Sequence, residues 1–272
     1  MATEQRSVPD VPEPVASNHG DRPACLMVHG LGGGPYELTP LIDALKAEGL
    51  RALAPVLPGH DGPGPLMPAS FWPDWAREVE SAFDVLAGSG QPVVVVGFST
   101  GATLALHLAS RRPVAKLVLL APFLAIRYTS WVPLRPATIL RPLARLIPHL
   151  PRRGPAVRDR EMRRWASGAD RFRTFSLGAT LSALELIDLV KPLVPGINIP
   201  TLIIQGRRDS VVEPAGASWL YDNLASTDKT LVSLAETDHL VALDREREKV
   251  IALTKAFVLG REHRAETVTS RV

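Results

Sequence analysis

The sequence predicts an α/β domain in which helices flank a mostly parallel sheet. Short apolar runs alternate with longer helical patterns, one central run is apolar on both faces, and a single proline-rich segment interrupts the alternation. Helices cover both faces of a parallel sheet, so its strands read as continuous apolar runs. The chain has 272 residues and is 46% hydrophobic, so it can bury a core without disulfides.

Six apolar runs are the predicted strands, and five amphipathic patterns are the predicted core helices. The predicted strands are 24–28, 51–55, 92–96, 116–121, 201–205 and 230–234. The predicted helices are 35–48, 72–86, 100–110, 214–224 and 245–259. Prolines at 35 and 214 fall in first turns, where a missing N–H costs a helix nothing.

The long segment after the fourth run needs structure of its own. Its prolines divide it into short pieces, so we predict an inserted cap of short helices over 122–180, and a helix over 182–190 that returns to the core. The remaining boundaries are a mobile N-terminal tail at 1–22, a core formed by 23–121 with 181–262, and a C-terminal tail at 263–272.

The cysteine count, the apolar segments and the net charge exclude several classes of protein. A single cysteine, Cys25, allows neither an intrachain disulfide nor a zinc cluster, and its apolar surroundings predict a small buried thiol. Residues 1–22 lack the apolar region of a secretory signal, and no run is long enough to span a membrane, so we expect a cytoplasmic protein. The net charge of +3 is too small to indicate nucleic acid as a partner.

The strongest chemical signal is the pentapeptide Gly97-Phe98-Ser99-Thr100-Gly101. It follows a predicted buried strand and opens a predicted helix, which is the context of a nucleophile elbow. A turn this sharp brings neighbouring backbone together, so glycines at both ends avoid Cβ collisions. The pattern predicts that Ser99 is a nucleophile at the carboxyl edge of the sheet, where ligands bind in open α/β folds.

A serine hydroxyl needs a base, and the base needs an acid that orients it. Asp209 follows the predicted strand 201–205, and His239 lies in the loop after 230–234, so both fall on the same edge as Ser99. Their chain order, Ser then Asp then His, is the order expected beside this serine motif. Asp238 is a weaker candidate, because it follows no strand directly.

Two backbone N–H groups are the expected oxyanion hole, those of Thr100 after the nucleophile and of Leu31 in the glycine-rich loop after the first strand. The same loop could cradle a phosphate, but the Lys-Ser/Thr of a phosphate loop is missing and the glycine spacing does not fit a dinucleotide site. His29 and His60 are expected to brace loops by hydrogen bonds. We expect no metal or organic cofactor.

Five motifs together resemble one branch of a known family. They are His29-Gly30-Leu31-Gly32-Gly33, Leu57-Pro58-Gly59-His60, Gly97-Phe98-Ser99-Thr100-Gly101, Asp209-Ser210-Val211-Val212 and Asp238-His239. They resemble the bacterial carboxylesterase and monoacylglycerol lipase branch of the α/β-hydrolases, over roughly 24–121 and 180–260.

The resemblance implies the α/β-hydrolase fold, with the cap inserted after its sixth strand, and hydrolysis of carboxylic esters such as monoacylglycerols. It also implies the triad Ser99, Asp209 and His239 with an oxyanion hole at Leu31 and Thr100. The sequence departs from that branch at Thr100, where Met or Leu is frequent, and in the length and arginine content of the cap.

The predicted cap is strongly basic, with twelve arginines against three acidic residues. The arginines could simply solvate an amphipathic surface, dock the cap on an anionic membrane, select an anionic substrate or bind a protein. Alternatives to a simple esterase are therefore a lysophospholipase or thioesterase acting on an anionic acyl substrate, or a non-catalytic binder on the same scaffold. The sequence gives no indication of oligomeric state.

Overall fold

The computed structural model describes residues 22–127 and 136–261. The predicted C-terminal tail and the N-terminal tail up to residue 21 lie outside the described residues, as does the part of the predicted cap at 128–135. Within the described residues the chain forms a layered α/β structure with a smaller insertion.

Eight strands are described, and six of them form the main sheet. In chain order they are β1 (Ala24–Val28), β2 (Ala52–Leu53), β3 (Val93–Phe98), β4 (Lys116–Leu120), β5 (His149–Pro151), β6 (Thr174–Ser176), β7 (Thr201–Gly206) and β8 (Lys229–Leu234). The main sheet has the order β2-β1-β3-β4-β7-β8, and each neighbouring pair is parallel. The predicted fold class is confirmed.

Eight α-helices are described in the same residues. They are α1 (Thr39–Ala47), α2 (Trp72–Ala87), α3 (Thr100–Ala109), α4 (Pro136–Leu146), α5 (Arg160–Ser167), α6 (Leu177–Val190), α7 (Ala215–Asn223) and α8 (Arg247–Val258). A 3-10 turn, Pro35–Leu38, precedes α1, and another, Lys191–Gly196, follows α6.

Alternate residues of each central strand enter different cores. In β3, Val93 and Val95 pack with α2, α3 and α6 on one face, whereas Val94 and Val96 pack with α1 and α8 on the other. All six residues of β3 are buried, because helices cover both faces of the sheet. Cys25 belongs to the second core, where burial raises the pKa of its thiol to about 12.

The edge strand β2 is shorter than predicted. It pairs with β1 only at Ala52 and Leu53, whereas the apolar run extends over 51–55. Pro55 cannot donate a ladder hydrogen bond, which disfavours a longer strand.

The insertion is only partly the predicted cap of short helices. It contains α4 and α5, but it also contains β5, which lies between these two helices, and β6, which lies between α5 and α6. These two strands form an antiparallel two-stranded sheet. Strands of three residues are too short to show an alternating pattern. The prolines of this segment predict breaks between short pieces, yet Pro142 lies inside α4. The carbonyl that loses its partner there belongs to the exposed Thr138, where water can bind it.

The insertion follows β4, the fourth described strand, whereas the resemblance implied a sixth. The returning helix α6 begins at Leu177, five residues before its predicted start. Ser176 caps it by accepting from the Ala179 N–H at 3.3 Å, a signal that lay in the sequence but inside the predicted cap.

Candidate active site

Ser99 sits at a sharp turn between β3 and α3. Its φ of 54° lies in the left-handed region, which is strained for a residue with a side chain. A Cβ on Gly97 would lie 2.4 Å from the Gly101 carbonyl oxygen, and one on Gly101 would lie 2.2 Å from the Val28 carbonyl oxygen. Both glycines are therefore required by close backbone approach, as the sequence predicted.

The structure brings Ser99, His239 and Asp209 into one line of hydrogen bonds. His239 Nε2 lies 3.0 Å from Ser99 Oγ, and His239 Nδ1 lies 2.9 Å from Asp209 Oδ2. A carboxylate only accepts, so Nδ1 carries the proton and Nε2 is left to accept from the serine hydroxyl. The three residues are 7%, 6% and 0% exposed, so water screens these contacts little.

The pKa shifts of His239 and Asp209 are those expected of a base that is hydrogen-bonded to a carboxylate. Burial lowers the pKa of His239, but the Asp209 charge and hydrogen bond outweigh burial, and the net effect is a raised pKa. Burial alone would raise the pKa of Asp209. The contact with His239 and the hydrogen bonds from the Val211 and Val212 N–H groups bring this pKa below its usual value.

Asp209 has its four acceptor positions occupied. Oδ1 accepts from the N–H groups of Val211 at 2.9 Å and Val212 at 2.8 Å, and Oδ2 accepts from Gln205 at 3.0 Å as well as from His239. Asp238, the weaker candidate, instead accepts from the backbone N–H groups of Ser210 and His239 and does not contact the imidazole ring by a hydrogen bond.

The glycine-rich loop after β1 is fixed by His29. Its Nε2 accepts from Leu57 N at 3.0 Å, so its proton is on Nδ1, which donates to the Gly30 carbonyl at 2.9 Å. Burial lowers the pKa of His29 to about 3, which keeps this tautomer neutral. Since C=O and N–H of a trans peptide point in opposite directions, the Leu31 N–H is directed away from His29. The expected loop-bracing role of His29 matches these contacts.

Thr100 is the first residue of α3, so its N–H has no acceptor within the helix. The Thr100 and Leu31 N–H groups follow neighbouring strands at the same edge of the sheet, because β1 and β3 pair in parallel up to Val28 and Gly97. His60, the other expected loop-bracing histidine, hydrogen-bonds through Nδ1 to the Pro58 carbonyl at 3.1 Å.

Sequence reasoning missed three charged residues around the site, Glu37, Arg152 and Asp244. Glu37 is buried in the turn after the glycine-rich loop, and Asp244 is fully buried after the His239 loop. The sequence contained a sign of burial for both acids. Glu37 is spaced by four from the apolar Leu41, and Asp244 ends an apolar run. The sequence contained no such sign for Arg152, because its neighbours in the chain do not distinguish it from the other arginines of the predicted cap.

Asp244 joins the His239 loop to the cap. Its Oδ2 accepts from Asp238 N at 2.7 Å, and its Oδ1 accepts from the N–H groups of Arg158 and Asp159 at 2.8 Å each. These donors come from two segments far apart in the chain, so one carboxylate holds both in place.

We expect Asp244→Asn to lower the free energy of unfolding by about 2–4 kcal/mol, because an amide offers one acceptor oxygen and leaves partly buried N–H groups without an acceptor. Denaturant unfolding measures this loss, with Asp43→Asn on the exposed side of α1 as the matched control. A loss no larger than that of the control would contradict the role assigned to Asp244.

Within 22–127 and 136–261, no group of three or more His, Cys, Asp or Glu side chains could hold a metal ion. In the same residues, none of the helices has both the length and the apolar character that crossing a membrane requires.

A parallel sheet of this order, with a serine on the turn after its central strand, is the architecture of the α/β-hydrolases, and the chain is a hydrolase of that class. The model of the family described as serine aminopeptidase, S33, matches residues 20–246, so the chain belongs to this family.

The relatives of the chain are esterases and lipases. A thermostable monoacylglycerol lipase from Bacillus sp. (strain H-257) is 27% identical over 262 residues, covering 94% of this chain and 97% of that protein. A carboxylesterase from Bacillus subtilis (strain 168) is 25% identical over 240 residues, covering 88% and 93%. The chain is thus an enzyme of the esterase and lipase type.

Solved structures share the fold. The monoacylglycerol lipase of Paleococcus ferrophilus superposes with a TM-score of 0.73 at 21% identity, covering 89% of this chain and 97% of that one. At this identity the likeness shows the fold alone.

Proposed function

We propose that the chain is a serine carboxylic-ester hydrolase that works through an acyl-enzyme on small or lipid-like esters such as monoacylglycerols. The observation that carries the proposal is the line of hydrogen bonds from Asp209 through His239 to Ser99. It supplies a hydroxyl nucleophile, a base in contact with it and an acid that orients the base.

In the proposed reaction, Ser99 Oγ attacks the ester carbonyl carbon while His239 Nε2 takes the hydroxyl proton. Asp209 holds the imidazole in the required tautomer and stabilises its cation. His239 then gives the proton to the leaving alcohol, and the acyl group stays on Ser99. A water molecule, deprotonated by His239, releases the acid and restores the serine.

The N–H groups of Leu31 and Thr100 are the proposed donors to the oxyanion. Two observations support them: the His29 contact that directs the Leu31 N–H, and the position of Thr100 at the start of α3. The N-terminus of a helix favours negative charge, so charge that develops there in the transition state is stabilised.

Two observations favour a lipid-like substrate. Two of the relatives are named as a monoacylglycerol lipase and a carboxylesterase. In addition, the insertion exposes Leu146 (82%), Ile147 (46%) and Leu150 (37%) on one segment. Apolar side chains left in water are typical of surfaces that meet apolar partners.

A substrate panel tests the proposal. We expect turnover of nitrophenyl esters and monoacylglycerols, and little turnover of lysophospholipids, acyl-CoA or aminoacyl nitroanilides. A preference for lysophospholipids or acyl-CoA would favour the anionic-substrate alternative, and release of nitroaniline would favour peptide hydrolysis. A folded protein that turns over none of these and resists fluorophosphonate labelling would be a binder, and the proposal would be wrong.

Contact between the basic insertion and an anionic membrane, and a cytoplasmic location, stay predictions. Sedimentation with phosphatidylcholine vesicles, with and without anionic phosphatidylglycerol, tests the first. Equal binding to both vesicle types would remove the electrostatic part of that prediction.

A further inference from the structure

Glu37 is a buried carboxyl enclosed by the glycine-rich loop. It is 5% exposed, and its Oε2 accepts from the Gly30 N–H at 2.9 Å. A Cβ on Gly33 would lie only 2.2 Å from the Glu37 carboxyl atoms, so the loop wraps closely around this group. The carboxyl therefore holds the loop from the side of the core.

Arg152 reaches the same loop from the insertion. It directly follows β5, its guanidinium donates to the Gly32 carbonyl, and it stacks at 4.6 Å on the ring of Phe175 in β6. Gly32 has a φ of +67°, and a Cβ there would lie 2.6 Å from the Phe175 ring. The two-stranded sheet of the insertion thus packs directly on the loop.

Leu31 lies between these two contacts. We propose that Glu37 and Arg152 are positioning residues that fix the loop on either side of Leu31, so that its N–H is held where the oxyanion develops. The proposal rests on the proposed function. It makes the insertion a part of the catalytic geometry, because one of the two contacts comes from it.

The two side chains depend on each other electrostatically. Burial raises the pKa of Glu37, and the Gly30 N–H and the Arg152 charge act against that rise. Burial lowers the pKa of Arg152, and Tyr36 and Glu37 act against that fall. Each side chain thus partly offsets the cost of burying the other, so we expect the loss of either one to disturb the loop.

The test is a set of steady-state measurements on a nitrophenyl ester. We expect Glu37→Leu to lower kcat by about 10- to 100-fold with KM nearly unchanged, less than the 10²–10³-fold for loss of an oxyanion donor itself. We expect Glu37→Gln to keep kcat within about 3-fold, because its amide oxygen can still accept from the Gly30 N–H. Arg152→Met should lower kcat by about 10-fold.

Affinity for a trifluoromethyl ketone separates positioning from a general loss of structure. This inhibitor adds to the serine and forms an oxyanion, so its affinity should fall by the same factor as kcat/KM, while an unreactive ester analogue binds as before. Arg153→Met, an exposed neighbour of Arg152, is the matched control and should leave kcat and the ketone affinity unchanged.

The inference is overturned if folded Glu37→Leu and Arg152→Met both keep wild-type kcat, or if Glu37→Gln loses as much kcat as Glu37→Leu. If Glu37→Leu does not fold, Arg152→Met decides alone. Ser99→Ala in the same assay keeps the two proposals apart. Full activity of that variant would refute the proposed function, whereas an inactive Ser99→Ala beside wild-type positioning variants would refute only this inference.

Discussion

We expect Ser99→Ala to lower kcat for ester hydrolysis by at least about 10³-fold, and toward about 10⁶-fold if all turnover passes through this hydroxyl. The reason is local: Ser99 Oγ is the atom that His239 Nε2 contacts at 3.0 Å, and alanine leaves the base with nothing to deprotonate. Hydrolysis of a nitrophenyl ester measures the loss, and thermal unfolding checks that the variant is folded.

The matched control is Ser110→Ala at the other end of α3. The Ser110 hydroxyl donates to the His107 carbonyl at 2.7 Å, so this variant changes a serine of the same helix outside the site. We expect its kcat to equal that of the wild type. A Ser99→Ala protein with the activity of this control would refute the assignment of the nucleophile.

Asp209→Asn has the second largest expected effect, a loss of roughly 10⁴-fold in kcat near neutral pH. The amide oxygen would accept from the Val211 and Val212 N–H groups, as Oδ1 does now, and its NH₂ group would face His239. The imidazole would then carry its proton on Nε2, and it could no longer take one from Ser99.

The pH profile gives this variant a second readout. Asp209 raises the pKa of His239, and only neutral His239 is a base, so wild-type kcat/KM should fall with decreasing pH through a midpoint above the ordinary pKa of histidine. Removing the carboxylate lowers that pKa, so the midpoint of the residual activity should move to lower pH.

Asp238→Asn is the matched comparison, because Asp238 binds backbone N–H groups beside the triad. We expect its loss of kcat to be far smaller than that of Asp209→Asn. Equal losses and equal pH profiles for the two variants would mean that Asp209 does not orient the base.

The sequence predicted the central strands and the carboxyl-edge loops because both are local patterns. A run such as that of β3 is apolar on every residue, and the loops after β1, β3, β7 and β8 follow from where the runs end. In a parallel sheet those ends meet at one edge, so strand ends alone were enough to expect the triad residues near each other.

The insertion and its contacts were not predictable in the same way. The sheet of β5 and β6 has three residues in each strand, and it depends on pairing across a helix and a loop rather than on a local pattern. Arg152 meets Gly32 across 120 residues of chain. Such contacts depend on tertiary packing. The arginine-rich composition did not indicate which arginine would contact the glycine-rich loop.

Buried acids were missed for a related reason. Glu37 and Asp244 bring polar carboxyl groups into the interior, which is costly unless hydrogen-bond donors are present. For Asp244 the donors include the backbone N–H groups of Arg158 and Asp159 from a distant segment, and for Glu37 the donor is the Gly30 N–H in the preceding loop. A sequence shows which residues have acidic side chains but not which distant N–H groups will meet them.

Covalent labelling tests the central claim most directly. The purified protein is treated with a fluorophosphonate, its intact mass is measured, and the modified peptide is sequenced by mass spectrometry. We predict one adduct per chain on the oxygen of Ser99, and none in Ser99→Ala. A folded wild-type protein that stays unmodified, or that carries its adduct on another residue, would contradict the account.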